Sequence, residues 1–320
     1  MHMQMTRLII HQPKNFESRH YRYYNIVFDG LIKKIKENFD CLEATYFKHA
    51  NEMRYPVKLM YDKNTKKSDT TLLLECEMLI ENYETHEVIV LSVSDTLTHA
   101  ILENYPRVKK ILISQFEKNM IKSHLRNGQD FSNFHPWVYF PQNIYDYDSY
   151  YAKRQQLPKL IDKFYFRGTL SNIRSIIQGF NHAYFEGGSC MGGGFETYAS
   201  DIINYKIAYS TAGRGEFCYR DVENMAMGIP ILRFEYSHEL NPPLVPNFHY
   251  VSVPRPSIST EHELTPQHAP LIENRFLEVK DDKPFLEFIS KNAREYYEKY
   301  IKLDNCIQHT YNLMEIEQWK

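Results

Sequence analysis

Phe166-Arg167-Gly168-Thr169 and Ala212-Gly213-Arg214-Gly215-Glu216-Phe217-Cys218-Tyr219-Arg220 are the two stretches on which the reading of this chain turns. Each follows an apolar, strand-like run: Phe164-Tyr165-Phe166 before the first and Tyr205-Lys206-Ile207-Ala208-Tyr209 before the second. Each precedes a helix-like stretch. Ten of the chain's twelve glycines fall between Gly168 and Gly228, so the need for close backbone approach is concentrated here. Arginines chelate phosphate oxygens in a forked geometry. Two strand-to-helix turns carrying both features suggest a diphosphate site, hence a nucleotide or nucleotide-sugar. Surface turns with solvated arginines are the competing reading.

Outward from these turns, strand-like and helix-like runs alternate. In the first half, Tyr24 to Phe39 reads as an amphipathic helix, with Ile26, Phe28, Leu31, Ile32 and Ile35 apolar at helical spacing. Strand-like runs follow at Val57–Tyr61, Thr71–Leu74, Val88–Val93 and Ile111–Ile113, with a helix expected over Thr98–Asn104. Nearly continuous apolar strands alternating with helices indicate a parallel sheet covered on both faces. Pro136 to Pro158, with a tyrosine-rich polar stretch, reads as a boundary. Beyond it, a helix is expected over Asn172–Phe180 behind a Ser171 cap. Another spans Arg220–Met227 and stops at Gly228. Strands are expected at Ile231–Phe234 and His249–Val253, and a long helix over Pro284–Tyr300. The fold class is therefore α/β, with two Rossmann-like halves, 1–150 and 151–320, facing across a cleft. Ligands of such sheets sit at the carboxyl ends of the strands, where both arginine turns and Asp95 are expected.

Composition narrows the function. At 320 residues the chain is long enough for two domains. Its 38 basic and 40 acidic side chains leave a net charge of -2, which argues against a dedicated nucleic-acid binder. Twenty-five tyrosines suit sugar faces and interfaces, or reflect genome composition alone. The five cysteines form no C-x-x-C pair, so neither a zinc site nor a disulfide framework is indicated. Around Leu8-Ile9-Ile10 there is no signal-peptide hydrophobic region, and no uncharged apolar run approaches the ~20 residues of a membrane span. A soluble, cytoplasmic protein is expected. The fourteen histidines show no H-x-x-x-H spacing, so no metal site and no cofactor are expected.

Four pieces of sequence, in order, resemble the CAP10-like glycosyltransferases, a family that includes protein O-glucosyl- and O-xylosyltransferases. Val90-Leu91-Ser92-Val93-Ser94-Asp95 is similar to their strand-end aspartate motif. Phe166-Arg167-Gly168-Thr169, with Arg174 downstream, is similar to their aromatic-Arg-Gly-Ser/Thr turn. Tyr205-Lys206, Gly213, Arg220 and Gly228 follow the order of their Tyr-Lys, Gly, Ser-aromatic-Arg and Gly elements. Leu244 to Val253 resembles their Leu-x-Pro followed by His-Tyr-x-x-Val. The resemblance runs over roughly residues 85–315 and weakens towards the N-terminus. It implies a GT-B fold and a metal-independent, UDP-sugar-dependent transferase with its donor on the C-terminal domain. The pattern fits a cytosolic member carried by a large DNA virus. Two departures stand out. Ala212 occupies the place of the acidic residue before the glycine, and Cys218 that of the serine before the aromatic-Arg pair. The Gly213-to-Arg220 interval is also one residue longer.

Within that frame each candidate has a role and a plainer alternative. Asp95 has the position of a general base for an acceptor hydroxyl, or of a helix cap. Arg167 and Arg220 would hold the diphosphate and stabilise its charge as the glycosidic bond breaks, or form surface ion pairs. Arg174, Gly168, Thr169, Gly213 and Arg214 would complete the donor site. Glu223, one helical turn beyond Arg220, could accept ribose hydroxyls, and His249 could touch the donor or be a core histidine. The Gly187–Gly194 cluster lacks the Gly-Lys-Ser/Thr of a P-loop and reads either as a mobile loop or as a connector. The expected partners are a nucleotide-sugar donor and a glycan or protein acceptor. A non-catalytic sugar- or nucleotide-binding protein, or another nucleotide-using α/β enzyme such as an epimerase, are the alternatives.

Overall fold

The structure, a computed structural model, describes residues 6–13, 21–46, 54–58, 70–74, 77–92, 108–125, 130–138, 145–168, 172–189, 194–213, 215–258 and 261–320. The fold is α/β and divides into two compact units. The first is Met1–Gln142 with Glu239–Pro242 and Leu303–Lys320; the second is Asn143–His238 with Pro243–Lys302.

The strands of the first unit are β1 (Arg7–Pro13), β2 (Asp40–Tyr46), β3 (Arg54–Lys58), β4 (Thr70–Leu74), β5 (Glu77–Asn82), β6 (Val88–Ser92), β7 (Val108–Ile113) and β8 (Phe134–Pro136). β3 and β4 pair only with each other, and the other six form one sheet in the order β2-β1-β5-β6-β7-β8. β1 and β2 are parallel, as are β6, β7 and β8, but β5 runs antiparallel to both β1 and β6. The expected parallel sheet is thus interrupted at β5. The reason is chain length: only residues 83–87 join β5 to β6, and a parallel crossover needs about a dozen residues or more. Asn82 builds that turn, its Oδ1 accepting from the amides of Glu84 (3.0 Å) and Thr85 (2.9 Å).

Alternate residues of the central strands feed opposite faces of this sheet, the period-two rule of a strand. Ile89 and Leu91 join Leu8, Ile10, Leu31, Ile35 and Trp137 in one cluster. Val88 and Val90 join Leu79, Ile111, Ile113 and Phe134 in the other. The helices of the chain are α1 (Tyr21–Lys36), α2 (Lys118–His124), α3 (Tyr147–Gln155), α4 (Phe195–Ile202), α5 (Tyr219–Ala226), α6 (Ala269–Val279), α7 (Lys283–Tyr296) and α8 (Leu303–Met314). The last, α8, packs on α1, with Cys306, Tyr311 and Met314 in the first cluster. The end of the chain therefore belongs with the first unit, whereas a cut at residue 150 leaves it in the second. No helix among the described residues is long and apolar enough to cross a membrane. The helix expected over Thr98–Asn104 lies outside the described residues.

The second unit holds β9 (Ile161–Gly168), β10 (Phe185–Ser189), β11 (Tyr205–Tyr209), β12 (Ile231–Phe234) and β13 (Val251–Val253) in the order β10-β9-β11-β12-β13. All four pairings are parallel. Phe164, Phe166, Ile207, Tyr209, Leu232, Phe234, Val251 and Val253 pack against Ile176, Phe180, Ile272, Phe276 and Ile289 on one face. Tyr165 and Ala208, pointing the other way, are also buried, so both faces are covered as a parallel sheet requires. α5 ends as the sequence predicts, with Gly228 at φ 63° in the left-handed conformation that terminates helices. The expected helix over Asn172–Phe180 is instead a 3-10 stretch, Asn172–Gly179, broken at Arg174 (φ -119°). Its end abuts Pro266, whose carbonyl oxygen lies 2.4 Å from where a Cβ on Gly179 would stand.

Candidate functional site

Because the five strands of the second unit are parallel, their carboxyl ends share one edge. From β9 the chain crosses to β10 on one side, and from β11 it crosses through α5 to β12 on the other. The carboxyl ends of β9 and β11 are therefore the topological switch point, where the outgoing connections diverge and leave a crevice. Arg167 and Gly168 end β9, and the segment 210–218 follows β11. Both arginine turns thus meet at the one edge position where such sheets bind ligands.

Arg174 joins them. Its Nε donates to Ala212 O (3.1 Å), and its guanidinium lies 5.2 Å from the centre of the Phe166 ring. A Cβ added at Gly168 would stand 3.0 Å from Arg174 Nη1, and one at Gly213 would stand 3.3 Å from Nη2. The two glycines are consequently the floor over which this guanidinium extends, which gives a steric reason for glycine at both positions.

Arg220, at the start of α5, makes the second link, its Nε donating to Arg167 O (2.9 Å). Its guanidinium stacks 3.8 Å above the Tyr198 ring, and Nη1 pairs with Glu223. Glu223 is 4% exposed. Burial pushes its carboxyl above the usual range, and the Arg220 charge pulls it back in part. Instead of presenting itself to a ribose, Glu223 turns inward and orients Arg220. Arg167 is held more loosely: its Nη1 pairs with Asp201, whose side chain is 43% exposed and also accepts from Tyr165 OH (3.2 Å). A phosphate could displace that exposed carboxylate at low cost, since such surface pairs contribute little.

The Gly187–Gly194 cluster begins on the same edge. Gly188 pairs with Arg167 in register. Gly187 has φ 133°, and a Cβ there would stand 1.7 Å from Phe166 O. Gly194 caps α4. Asp95, Thr169 and Arg214 lie outside the described residues; β6 ends at Ser92, short of Asp95. His249 is not brought to this edge. It precedes β13, at the amino end of the parallel sheet, where its Nδ1 accepts from Val245 N (2.8 Å) and its ring packs on Phe248 and Tyr296. Burial pushes its pKa down to about 4. A cavity of about 710 Å³ also lies at the amino edge, lined in part by Lys206, Pro230 and Lys280. Asp162 and Asp281 neutralise those two lysines.

Sequence reasoning missed a buried charge network beneath the arginine turns. Arg233 of β12, fully buried, donates from Nη1 to Asp221 (2.9 Å) and from Nη2 to Glu261 (2.6 Å). Glu261 accepts from Ala212 N (2.6 Å) and Thr211 Oγ1 (3.2 Å). Burial pushes the Glu261 carboxyl up against the pull of Arg233. Glu216 accepts from Ser237 N (2.8 Å), Ser237 Oγ (2.9 Å) and His238 N (2.7 Å), and pairs with Arg255. The only local signal for this network was Asp221, three residues after Cys218, whose amide it accepts at 2.8 Å in a capping box. The chain does carry one D-x-D spacing, the kind that holds a metal ion in other folds, at Asp146-Tyr147-Asp148. Asp146 caps α3, and Asp148 pairs with Arg294 and Lys302. Among the described residues no group of three or more His, Cys, Asp or Glu is placed to hold a metal ion.

No family model matches the chain, and no curated protein matches it. Solved structures do. The C-terminal domain of a glycosyl transferase group 1 family protein from Francisella tularensis is 11% identical, covering 54% of this chain and 99% of its own, with a TM-score of 0.31. Sucrose-phosphate synthase from Thermosynechococcus elongatus is 14% identical over 95% of this chain and 72% of its own, with a TM-score of 0.41. The pneumococcal O-GlcNAc transferase GtfA, in complex with UDP and GlcNAc, is 10% identical over 98% of this chain and 99% of its own, with a TM-score of 0.37.

Proposed function

We propose that the chain is a GT-B glycosyltransferase of the CAP10-like kind that moves a sugar, xylose or glucose at first choice, from a UDP donor to a hydroxyl of a glycan or protein. The observation that carries this reading is the meeting of the two arginine turns at the switch point of a parallel sheet, where Arg220 holds the Arg167 carbonyl and Arg174 extends over Gly168 and Gly213. Arginines borne on and beside two bare backbone turns suit a diphosphate, whose charge grows as the sugar leaves. In this reading the second unit binds the donor, the first serves the acceptor, and Asp95 is the base. The acceptor oxygen attacks the anomeric carbon and gives its proton to Asp95, while the bond to the diphosphate breaks and UDP departs. One displacement inverts the anomeric centre, and the arginines do the work of a metal ion.

The test is a panel of UDP-sugars with EDTA present, scored by mass spectrometry of released UDP, beside thermal-shift binding of UDP, GDP, ADP and NAD. Selective stabilisation by UDP together with UDP release is expected. Activity that needs added manganese would move the chain to another class of transferase. Stabilisation by NAD instead of UDP would favour an epimerase-like enzyme, and UDP binding with no turnover a sugar-nucleotide-binding protein.

A further inference from the structure

The described residues of segment 210–218 carry no helix or strand, yet they present Ala212 O to Arg174 and the Gly213 floor to the crevice. What fixes it comes from elsewhere in the chain. One guanidinium, Arg233, is tied to the segment at three points. It reaches Ala212 N and Thr211 Oγ1 through Glu261, Glu216 O directly (3.3 Å), and Cys218 N through Asp221. Arg233 is itself fixed by Phe234 O (3.1 Å) and lies 3.4 Å from the centre of the Tyr236 ring.

Buried ion pairs of this kind are weak contributors to stability, because removing the charges from water costs about as much as the pairing returns. Their distinctive product is geometry: each bond is directional and each partner is unsatisfied in any other loop conformation. We propose that Glu261 and Arg233 are positioning residues that preset the 211–218 turn in its ligand-ready conformation, so that the diphosphate of a nucleotide-sugar meets Arg174 and Gly213 already in place. This rests on the reading of the crevice as a diphosphate site. Neither residue touches the ligand. They act by raising the fraction of molecules whose turn is competent, and an apparent dissociation constant scales inversely with that fraction.

Glu261→Gln tests the proposal. A glutamine has one oxygen for the two sides that now demand one each, Arg233 and the 211–212 turn, so one side is left facing an amide NH₂. Three measurements are made on the full chain: amide hydrogen exchange of 210–218 without ligand, UDP affinity by calorimetry, and the melting temperature. With the competent fraction falling from near one to about one tenth, UDP binding is expected about tenfold weaker and the amides of 210–218 lose nearly all their protection; melting also falls, because the fully buried Arg233 loses one of its two carboxylate partners. Thr211→Val, which removes one hydroxyl only, should weaken UDP by a smaller factor, about twofold to threefold, with less protection lost than in Glu261→Gln. It decides the matter if the glutamine variant does not fold. A stability role alone would lower the melting temperature with UDP affinity and the protection of 210–218 unchanged. The proposal is overturned if exchange of 210–218 matches wild type in both variants, or if its protection is nearly all lost while UDP affinity holds. If wild type itself fails to bind UDP, the functional reading falls, and the exchange arm still decides whether Glu261 sets the turn.

Discussion

Gly168→Ala and Gly213→Ala separate the two glycines that floor the site, because the same added methyl meets different neighbours. At Gly168 the new Cβ would stand 2.8 Å from Phe166 Cζ and 3.0 Å from Arg174 Nη1. Carbon atoms normally rest about 3.5–4.0 Å apart, so the ring would have to retreat by about 0.7 Å or more. Phe166 is 1% exposed and belongs to the core between β9 and the 3-10 stretch. Overpacking of such a ring costs about 1–3 kcal/mol. Loss of glycine freedom in the unfolded chain returns about 0.4–1 kcal/mol. A net destabilisation of about 1.5 kcal/mol is expected, roughly 3–6 °C in Tm for a domain of this size. At Gly213 the nearest atom is the mobile end of Arg174, at 3.3 Å, and Cys218 Cβ is 4.0 Å away. Neither glycine has a positive φ, so the same entropic return leaves this variant within about 0.5 kcal/mol of wild type. Gly168→Ala should also weaken UDP about tenfold, the lower end of what one misplaced charged hydrogen bond costs. Scanning calorimetry and UDP titration check both. Equal or greater destabilisation by Gly213→Ala, or an unaffected Gly168→Ala, would refute the steric argument.

Arg167→Ala and Arg220→Ala should both weaken UDP by about 1.5–3 kcal/mol. Only Arg220→Ala should also lower Tm, because it strands the buried Glu223, whereas Asp201 is exposed. Unchanged UDP affinity in both, measured by calorimetry, would remove them from the site. Asp95→Asn keeps size but not basicity, so transfer should fall by about 10²–10⁴-fold with UDP affinity intact; a near-normal rate would leave Asp95 a helix cap. His249, with its pKa pushed down to about 4 by burial, uses a neutral Nδ1 as acceptor. The unfolded chain takes up a proton near the ordinary value of about 6.5 and the folded chain does not, so stability falls as pH drops from about 6.5 to about 4. His249→Asn keeps an acceptor without the titration and should lose less Tm than wild type over that window; identical melting profiles would count against the assignment.

The second unit was more legible than the first for a physical reason. Its strands are short, apolar and separated by glycine and helix signals, so Phe164–Phe166, Tyr205–Tyr209 and Ile231–Phe234 mark β9, β11 and β12 with little ambiguity. In the first unit β1, β2, β5 and β8 were missed, and β5 shows why. Its run, Glu77–Asn82, carries acidic and amide residues that read as surface, yet Glu81 is fully buried. What keeps Glu81 inside is a pair of histidines, His11 at 2.8 Å and His86 at 3.0 Å. Burial alone would raise the Glu81 carboxyl, and those two bonds bring it below the usual range. A polar residue satisfied by partners 70 and 5 positions away defeats any reading by local periodicity.

The same distinction governs the site. The placement of Arg167, Arg174, Gly168, Gly213 and Arg220 at one sheet edge was legible because turn chemistry is local: glycine for approach, arginine for charge, and a strand before each turn. The orientation of those groups was not, because it is set by residues far along the chain. Ala212 illustrates this. From sequence it stood in the place of an acidic residue of the family that the chain resembles. In the structure a carboxylate does reach this turn, from Glu261, 49 positions downstream, and it binds the backbone of Ala212 itself. A side chain at 212 could offer a carboxylate to a ligand, whereas one arriving from 261 and held by Arg233 fixes the backbone instead. The acidic group at this turn is therefore a constraint on the backbone, and its charge lies against the buried Arg233.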